Sequence, residues 1–370
     1  MKKILHIVPA LEAGGIENLL FNYCSEGPIY ENFQVDFITH TESGLIHDLL
    51  VKRGFSVFCV TQKKKSFLKN FKEMKEIIRK GNYSIVHVHQ TYSSFVALFI
   101  SKIYKVPVRI VHSHTNMKYC ESPVKKVINF IMRCLCCTFA NELWACGCAA
   151  GEYLYGTKKN FYIMPNAIDS SNFISDDNED KKRIFDKIGI EDNNIIISQI
   201  GRFTYEKNHD FTIKIINEIV KQDSRFLFVF AGDGPLREEI KQKLAKYNLL
   251  SRCKFLGNIN YVSDLLSVSS VVLLPSLFEG FPVTVVESLF SGTPIICSEN
   301  ISKEVEFSNL CKRLSYDEKL WVERIFEYSR MKDSSKKECS LYMLSSDYEI
   351  KNARKLICQK YIDLLIQTEI

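Results

Sequence analysis

The sequence predicts an α/β protein with two doubly wound domains that face each other across a cleft. Three observations support this prediction. The chain has 370 residues, whereas a single domain usually has roughly 100–200. Short apolar runs alternate with helical patterns twice along the chain, which is typical of parallel sheets covered by helices on both faces. A polar, acidic stretch at 169–183 separates the two alternations and has the composition of a linker.

The first alternation predicts a domain at 1–168. Apolar runs rich in β-branched and aromatic residues predict its strands, and amphipathic patterns with helical spacing predict its helices. The predicted strands are 3–11, 34–40, 55–60, 84–90, 108–114, 142–147 and 161–168, and the predicted helices are 15–27, 43–54, 62–80, 93–105 and 122–140.

The second alternation predicts a domain at 169–346, followed by a C-terminal segment at 347–370. From residue 317 onward the pattern is helical, and the last helix is predicted at 347–366. The other predicted strands are 194–203, 225–234, 253–257, 271–276 and 293–298, and the other predicted helices are 209–222, 235–250, 262–269 and 282–292.

The composition is that of a globular protein, with 46% hydrophobic and 25% charged residues. No run approaches the ~20 apolar residues of a membrane span, and the start of the chain lacks the cleavage site of a secretory signal. We therefore expect a cytoplasmic protein. The thirteen cysteines, an odd number, are expected to be reduced and mostly buried in apolar runs, as at Cys59, Cys297 and Cys358.

Two stretches have the composition of a metal site, but neither predicts one. The cysteines at 134–137 and 146–148 lack the paired C-x2-C spacing of zinc sites. The acidic run at 176–180 follows no strand that would present it, and it fits a solvated linker better. We therefore expect no metal ion.

The formal charge of +6 arises largely from residues 62–80, which carry eight Lys or Arg against two Glu. Two interpretations remain open. The segment is either an amphipathic helix with a solvated basic face or a helix that lies on an anionic membrane surface. Residues 122–134 form a second basic and apolar patch. No recognition motif accompanies the charge, so nucleic acid is not an expected partner.

The motif GRFTYEKN at 201–208 follows a predicted strand and holds two cations. An arginine can clamp phosphate oxygens through two parallel N–H donors, and a lysine adds a point charge. Arg202 and Lys207 are therefore candidates for holding a phosphorylated ligand. A pair of solvated surface cations is the alternative.

The motif PALEAGGIENLL at 9–20 also follows a strand and leads into a helix. Gly14 and Gly15 permit close approach of a ligand to the backbone, and the amides of a helix N-terminus favour an anion. A plain tight turn explains these glycines equally well. The pattern is not G-x-G-x-x-G, which argues against a NAD-dependent dehydrogenase.

The stretch FEGFPVTVVES at 278–288 places two acids around an apolar run. On one helix, Glu279 and Glu287 would lie ~12 Å apart, beyond the ~5–9.5 Å of a glycoside hydrolase pair. Gly280 and Pro282 instead indicate that Glu279 is in a loop, and Pro282 suits the first turn of a helix that carries Glu287. This arrangement favours carboxylates that accept hydrogen bonds from a phosphorylated sugar.

Together, these motifs resemble the retaining glycosyltransferases of family 4, whose GT-B fold has two Rossmann-like domains. The resemblance covers nearly all of residues 1–300 and is strongest to bacterial enzymes of capsular and extracellular polysaccharide assembly. The chain departs from the family at Ala167, where glycine is usual, and the resemblance thins after residue 300. The motifs that carry it are GGIE, HSH, PNAID, GRFTYEKN, AGDGP, FLGN and PSLFEGFPVTVVES.

The resemblance implies a role for each motif. The catalytic set would be Glu279, His112, Arg202 and Lys207, of which the two cations hold the donor diphosphate in place of a metal. His114 is the second candidate for the histidine near the sugar. The last helix is expected to pack back across the cleft onto the first domain, as in members of this family. The residues implied to bind the donor are Gly15, Arg202, Lys207, Leu256, Gly280, Phe281 and Glu287.

The activity implied by the resemblance is transfer of a sugar, with retention of configuration, from a nucleoside-diphosphate sugar to a glycan or polyprenyl-linked acceptor. Uridine is the favoured nucleoside, no metal cofactor is implied, and contact with the inner face of the cell membrane remains an open expectation. Two alternatives are a nucleotide-sugar epimerase of the same fold and a non-catalytic partner subunit that binds nucleotide or glycan. The intact pairs Arg202/Lys207 and Glu279/Glu287 argue against both.

Overall fold

The computed structural model of the chain describes residues 1–12, 14–116, 123–157, 159–173, 184–186, 188–191 and 193–369. Its contacts divide the chain into two compact units. Unit 1 comprises Met1–Ile168 together with Asp347–Ile370, and unit 2 comprises Asp169–Ser346. The acidic run at 176–180, for which we expect no metal, lies outside the described residues.

Unit 1 contains a seven-stranded sheet in which all neighbouring strands are parallel, in the order β3-β2-β1-β4-β5-β6-β7. The strand order changes direction between β1 and β4, which creates a topological switch point. The strands are β1 Lys2–Ile7, β2 Phe33–Thr39, β3 Ser56–Cys59, β4 Ile85–Val88, β5 Val108–Ser113, β6 Glu142–Ala145 and β7 Tyr162–Ile163.

The helices of unit 1 include all five that the sequence predicts, with ends that differ by a few residues. The predicted helix at 62–80 begins at Phe67, because the Ser66 side chain accepts a hydrogen bond from the Lys69 amide at 3.3 Å and caps it. The helices Pro28–Asn32 and Cys148–Tyr155 were not predicted. The helices are α1 Gly15–Cys24, α2 Pro28–Asn32, α3 Leu45–Lys52, α4 Phe67–Gly81, α5 Ser94–Ile103, α6 Pro123–Phe139 and α7 Cys148–Tyr155.

The C-terminal helix, Ile350–Glu369, belongs to the core of unit 1. Its apolar side chains, among them Ile357 and Tyr361, pack with residues of β1, β2 and β5 and with α1. The Tyr361 ring stacks on Trp144 of β6 with centroids 5.4 Å apart. One face of the sheet is therefore buried under α1 and the C-terminal helix.

Unit 2 contains a six-stranded parallel sheet in the order β10-β9-β8-β11-β12-β13, so it has a switch point between β8 and β11. The last strand, β13, lies in the stretch after residue 300 for which the sequence predicts no element. The strands are β8 Ile195–Ile200, β9 Phe226–Ala231, β10 Cys253–Gly257, β11 Val271–Leu274, β12 Ile295–Ser298 and β13 Cys311–Leu314.

The helices of unit 2 that flank this sheet agree closely with those predicted. The helix that follows Glu279 begins one residue after Pro282, which serves as its N-cap rather than its first turn. The helices are His209–Gln222, Arg237–Lys246, Val262–Val268, Val283–Phe290, Glu318–Ser329 and Asp333–Leu344.

The cysteines in the described residues are all free thiols. Cys297 and Cys358 are buried as predicted, but the prediction for Cys59 was wrong, because this thiol is exposed. Cys59 lies in β3, which is the edge strand of its sheet and has a neighbour on one side only. Among the described helices, none has the length and apolar character that a membrane span requires.

Candidate functional site

The two motifs of unit 2 that contain the candidate charged residues meet at its switch point. GRFTYEKN follows β8 and FEGFP follows β11, and these two strands are neighbours in the sheet. Loops at the carboxyl ends of parallel strands form the ligand sites of open sheets at such a point. The amide of Leu277 donates to the carbonyl of Glu206 at 2.8 Å and ties the two loops together.

Lys207 and Glu279 form an ion pair across these loops, with Nζ and Oε1 2.6 Å apart. Only 16% and 17% of the two side chains are exposed, so solvent screens the pair less than it screens a surface salt bridge. A charge-assisted contact of this length fixes both groups. The contact brings together two residues that were predicted from separate motifs to lie at the donor.

Glycines allow this contact to form. Gly201 has φ +148°, and a Cβ there would stand 2.9 Å from Cε of Lys207, whose aliphatic chain crosses this position. A Cβ at Gly232, the residue after β9, would overlap the carbonyl oxygen of Gly201. The ends of β8 and β9 therefore approach backbone to backbone, and a side chain at either glycine would displace Lys207 or the loop.

Arg202 lies in the same loop as Lys207, directly after Gly201, and is exposed. Within the described part of the chain, its guanidinium makes no hydrogen bond or ion pair. A guanidinium without a protein partner retains its five N–H donors for a ligand. Arg202 and Lys207 thus differ. The ammonium group of Lys207 is held by the Glu279 carboxylate, whereas the guanidinium of Arg202 is available to a ligand.

Glu287 lies on the helix Val283–Phe290, within electrostatic reach of Lys207. Desolvation raises the pKa of its carboxyl to about 7, and the charge of Lys207 opposes this rise. The carboxylate form is therefore costly in this environment. Ligand hydroxyl groups that donate to it would stabilise the charged form.

The remaining predicted donor residues of unit 2 lie at strand ends or in the loop after β11. Gly280 is half-buried and Phe281 is buried at 5% exposure. Leu256 is half-buried at an irregularity in β10, between the pairs that Phe255 and Gly257 make with β9. Such a bulge often redirects a strand end beside a site.

In unit 1, Gly15 is the first residue of α1 and follows the switch-point strand β1. No atom would lie within 4 Å of a Cβ at Gly15, so its backbone is open to approach. Gly14 is different, because a Cβ there would collide with the carboxylate of Glu17. Burial raises the pKa of Glu17. This acid, which was not predicted as a site residue, already lies at the helix N-terminus that was predicted to favour an anion.

His112 and His114 belong to a set of five histidines on one face of the unit 1 sheet. His6 and His87 are paired in register on β1 and β4, and residues two apart on a strand share a face. The centroids of the His112 and His114 rings are 3.9 Å apart. We call His6, His87, His89, His112 and His114 the histidine cluster.

Hydrogen bonds join the histidine cluster into two chains. In one, His87 bonds through Nδ1 to the Tyr361 hydroxyl at 2.8 Å and through Nε2 to Nδ1 of His112 at 3.1 Å. His112 is fully buried, and its Nε2 has no hydrogen-bond partner among the described residues. Such an orphaned buried nitrogen is uncommon and indicates a ligand or water that would complete it.

The second chain runs from the core to the carboxyl end of the sheet. The Nε2 atom of His6 lies 3.8 Å from the sulfur of Cys24, and its Nδ1 atom lies 3.1 Å from Nε2 of His89. His89 continues through Nδ1 to Nε2 of His114 at 2.8 Å. His114 is the half-buried member of the set.

Every histidine of the cluster is held in the neutral form. Desolvation lowers the pKa of His6 and of His114 to about 3, and it lowers those of His87, His89 and His112 well below 6.5 with a further contribution from neighbouring rings. A neutral imidazole has one donor and one acceptor nitrogen. The cluster therefore offers hydrogen bonds and lone pairs rather than charge.

The sequence contains a signal from which this cluster could have been predicted. HVH at 87–89 and HSH at 112–114 each end a predicted strand, and alternate residues of a strand face the same side. Two such motifs on adjacent parallel strands must bring four rings together. What the sequence does not contain is the strand order that makes β4 and β5 neighbours.

The two basic, apolar segments differ in what their apolar side chains do. In α4, Met74 and Ile78 are 0% and 2% exposed and pack inside unit 1, whereas Phe67 and Leu68 in its first turn are 50% and 73% exposed. In α6, Val124, Val127 and Phe130 are 69%, 61% and 63% exposed. The larger exposed apolar face thus belongs to α6, whose sequence contains three basic residues and no acidic one.

Two family models match consecutive parts of the chain. The model described as Glycosyltransferase Family 4 matches residues 13–171, and the model described as Glycosyl transferases group 1 matches residues 180–310. The candidate residues of unit 1 lie in the first match and those of unit 2 in the second.

Curated proteins similar to the chain include a putative glycosyltransferase, EpsF, from Bacillus subtilis. It is 31% identical over 341 residues, which cover 88% of this chain and 87% of EpsF. Another is an Escherichia coli protein named UDP-Gal:alpha-D-GlcNAc-diphosphoundecaprenol alpha-1,3-galactosyltransferase. It is 26% identical over 277 residues, 69% of this chain and 68% of that protein.

Solved structures similar to the chain include that of Anabaena HepE in complex with UDP-glucose, with a TM-score of 0.82 and 15% identity. The match covers 98% of this chain and 100% of that one. The lipopolysaccharide glycosyltransferase WaaG matches with a TM-score of 0.69 and 12% identity over 96% and 99% of the two chains. These likenesses confirm the predicted GT-B fold.

Proposed function

The chain belongs to the group 1 and family 4 glycosyltransferases, and on that premise we propose that it transfers a sugar from a UDP-sugar, with retention of configuration, to a polyprenyl-linked glycan. The relatives support the substrates proposed. The Escherichia coli relative is named for a UDP-Gal donor and a diphosphoundecaprenol acceptor, and HepE was solved with UDP-glucose. A relative from Staphylococcus aureus is named for capsular polysaccharide biosynthesis, which supports a role in surface polysaccharide assembly.

The observation that carries the proposal is the charge set at the unit 2 switch point. Arg202 and Lys207 bind the donor diphosphate and stabilise the charge that develops on the leaving phosphate. Two such cations supply the compensation that a metal ion supplies elsewhere, so we propose metal-independent transfer. Glu287 accepts hydrogen bonds from the ribose, and Glu279 holds Lys207 in place and lies near the transferred sugar.

Retention follows from attack on the same face that the leaving group departs from. The bond between the anomeric carbon and the phosphate oxygen breaks, and the acceptor oxygen forms the new bond to that carbon. The leaving phosphate takes the acceptor proton, so no covalent enzyme intermediate forms. His112 contacts the sugar through its free nitrogen, and the open backbone at Gly15 approaches the diphosphate.

The test is release of nucleoside diphosphate. The purified chain is incubated with EDTA and each of a set of UDP-, GDP- and ADP-sugars, with and without a membrane extract that contains lipid-linked glycans. We expect turnover of one UDP-sugar that Arg202→Ala and Glu279→Ala reduce by about 10²–10³-fold or more. The matched control is Arg225→Ala, since Arg225 pairs with Asp223 on the exposed surface of the same unit.

Other outcomes contradict separate parts of the proposal. Full activity of Arg202→Ala would contradict the proposed binding of the diphosphate by Arg202. Loss of activity in EDTA would contradict metal-independent transfer. An inverted product in the glycan linkage, measured by NMR, removes the retaining mechanism. Turnover of a GDP-sugar alone would support transferase activity and would contradict the proposed UDP-sugar donor.

We also propose that the protein contacts an anionic membrane through α6 and the basic face of α4. The apolar side chains of α6 enter the interface, while its lysines and those of α4 meet the lipid phosphates. This placement would bring the enzyme to a lipid-linked acceptor. The charge complementarity rests on the excess of basic residues in 62–80 and in α6.

Cosedimentation with vesicles at low salt tests the membrane proposal. We expect binding to phosphatidylglycerol vesicles and not to phosphatidylcholine vesicles, with a several-fold loss in Val127→Ser/Phe130→Ser and in Lys72→Gln/Lys75→Gln. Leu341→Ser is the control, because Leu341 is an exposed apolar residue of unit 2. Equal binding by all three variants, or no binding by the wild-type chain, contradicts this surface.

A further inference from the structure

The histidine cluster contains more buried imidazole than a single contact to a sugar requires. Each of two groups, His6/His87/His89 and His89/His112/His114, brings three ring nitrogens within 4.8 Å of one another. In a tetrahedral zinc site with bonds of about 2.0–2.1 Å, ligand nitrogens lie about 3.4 Å apart. Side-chain shifts of about 1 Å would therefore close either group around an ion.

We propose that His89, His112 and His114 form a binding site for a divalent transition-metal ion. This set has the nitrogen that lacks a partner, Nε2 of His112. It also has the half-buried ring, His114, through which an ion can enter from the carboxyl end of the sheet. Three neutral imidazoles suit zinc, cobalt, nickel or copper and do not suit magnesium or calcium, which prefer oxygen.

The deeper group is the poorer site. His6 and His87 use both of their ring nitrogens in contacts within unit 1, His6 with Cys24 and His89, and His87 with Tyr361 and His112. Opening that group would break more hydrogen bonds in the core. These same contacts instead make His6 and His87 the outer layer of the proposed site. They orient His89 and His112, as hydrogen-bonding partners orient the histidine ligands of other metal sites.

The proton inventory of the cluster balances without a carboxylate. In the metal-free protein His89 and His114 share one hydrogen between Nδ1 and Nε2. If His89 carries its hydrogen on Nε2 instead, it donates to Nδ1 of His6, and His6 donates through Nε2 to the sulfur of Cys24. Nδ1 of His89 and Nε2 of His114, which were joined by the hydrogen bond, then each present a lone pair to the ion, and no proton leaves the cluster.

The experiment is metal binding by the full chain, with cobalt as a spectroscopic probe. After EDTA treatment and removal of the chelator, CoCl2 is titrated and visible absorption recorded, then ZnCl2 is added. We expect one equivalent of cobalt with the absorption of a four-coordinate nitrogen site, without the near-ultraviolet band of cobalt–thiolate bonds, and its loss when zinc displaces it. Zinc should also raise the Tm of the wild-type chain.

Variants locate the site. His89→Gln and His114→Gln should each abolish the cobalt spectrum and the zinc-dependent rise in Tm. His6→Gln should retain both, since His6 lies in the outer layer. His47→Gln is the matched control, because His47 is a histidine of the same unit that pairs with Asp48 away from the cluster. If His89→Gln fails to fold, His114→Gln still decides the question, because the ring of His114 is half-buried at the carboxyl end of the sheet.

Three results would overturn the proposal. They are the absence of stoichiometric cobalt binding, a thiolate band that assigns the ion to cysteines, and a spectrum that survives His114→Gln but not His6→Gln. None of them depends on transfer activity. One consequence does rest on the proposed function: zinc would occupy His112 and should inhibit transfer, reversibly with EDTA, in the wild-type chain.

Discussion

The carboxyl ends of the two sheets have the same topology and opposite chemistry. In both units the strand order changes direction between the first strand and the fourth, so both have a switch point. At that point unit 2 has a cation held by a carboxylate, a second cation and an acid with a raised pKa. Unit 1 has neutral, hydrogen-bonded imidazoles. The fold positions a ligand site in each unit, but only the residues after the strands decide what the site can bind.

The difference also concerns stability. Charges in unit 2 lie at the carboxyl ends of the central strands β8 and β11, where a ligand would compensate them. The imidazoles of unit 1 continue into the core as far as Cys24 and Tyr361, where the protein itself satisfies them. We therefore expect substitutions in unit 2 to change transfer more than folding, and substitutions deep in unit 1 to do the reverse.

The largest expected effect is that of Lys207→Met on transfer. The change removes a cation from the proposed diphosphate site and leaves the carboxylate of Glu279, which is 17% exposed, without its partner. We expect kcat to fall by about 10²–10³-fold, with unfolding little affected. Nucleotide release at saturating donor measures it.

A double-mutant cycle makes this prediction sharper. If Glu279 acts by holding Lys207, the effects of Lys207→Met and Glu279→Gln should be far from additive. Lys214→Met is the control, since Lys214 forms an exposed pair with Glu318 in the same unit. A Lys207→Met enzyme with activity within threefold of the wild type would show that unit 2 does not use its charges as proposed.

The next effect is that of Glu287→Gln, and it depends on pH. The pKa of Glu287 is raised by burial from its ordinary 4.5 to about 7. Its contribution to stability is therefore fully present below about pH 4.5 and is lost as the pH rises through about 7. Glu287→Gln should make the empty protein more stable than the wild type by about 1–3 kcal/mol at pH 8 and by much less at pH 5.

The same substitution should weaken donor binding. A neutral amide accepts weaker hydrogen bonds from ribose hydroxyls than a carboxylate does, so we expect a loss of about 10–100-fold in donor affinity. Thermal unfolding at the two pH values and calorimetric titration with the donor measure both effects. Glu238→Gln, at an exposed helix position, is the control. If the difference in Tm between Glu287→Gln and the wild type is the same at both pH values, the raised pKa of a buried Glu287 is not the cause of that difference.

Much of the fold could be predicted from the sequence where local pattern decides. The helix His209–Gln222 and the strand Cys253–Gly257 have their predicted bounds, because each is a continuous amphipathic or apolar run between clear boundary residues. The short helix Pro28–Asn32 was missed, since five residues contain too little periodicity to detect. Cys59 was placed wrongly because its exposure depends on β3 being an edge strand, which local pattern does not reveal.

The candidate site was predictable in its parts and not in its contacts. Arg202, Lys207 and Glu279 were identified in loops that follow strands, and Glu287 on the helix after the second loop, from their motifs. That Lys207 meets Glu279, 72 positions away, depends on β8 and β11 being neighbours. The histidine cluster depends in the same way on β1, β4 and β5 being adjacent and in register. Strand order is a property of the whole sheet, so no single motif contains it.

The smallest expected effect on transfer, and the clearest contrast with unit 2, is that of Tyr361→Phe. The hydroxyl of Tyr361 is the bonding partner of Nδ1 of His87, and both residues are buried. Its removal leaves a buried imidazole nitrogen unsatisfied while the aromatic ring keeps its stacking on Trp144. We expect the free energy of unfolding to fall by about 1–3 kcal/mol and transfer to change less than twofold at 25 °C.

Denaturant unfolding and nucleotide release on the same preparation measure the two quantities. Tyr247→Phe is the control, because this phenol of unit 2 is 57% exposed and should affect neither. If Tyr361→Phe instead reduces transfer strongly and leaves unfolding unchanged, the chain from Tyr361 through His87 to His112 sets the position or tautomer of His112 during the reaction. In that case the residues that follow the strands would differ in charge between the two units but not in role. The histidine cluster of unit 1, like the charged residues of unit 2, would then act in the transfer reaction itself.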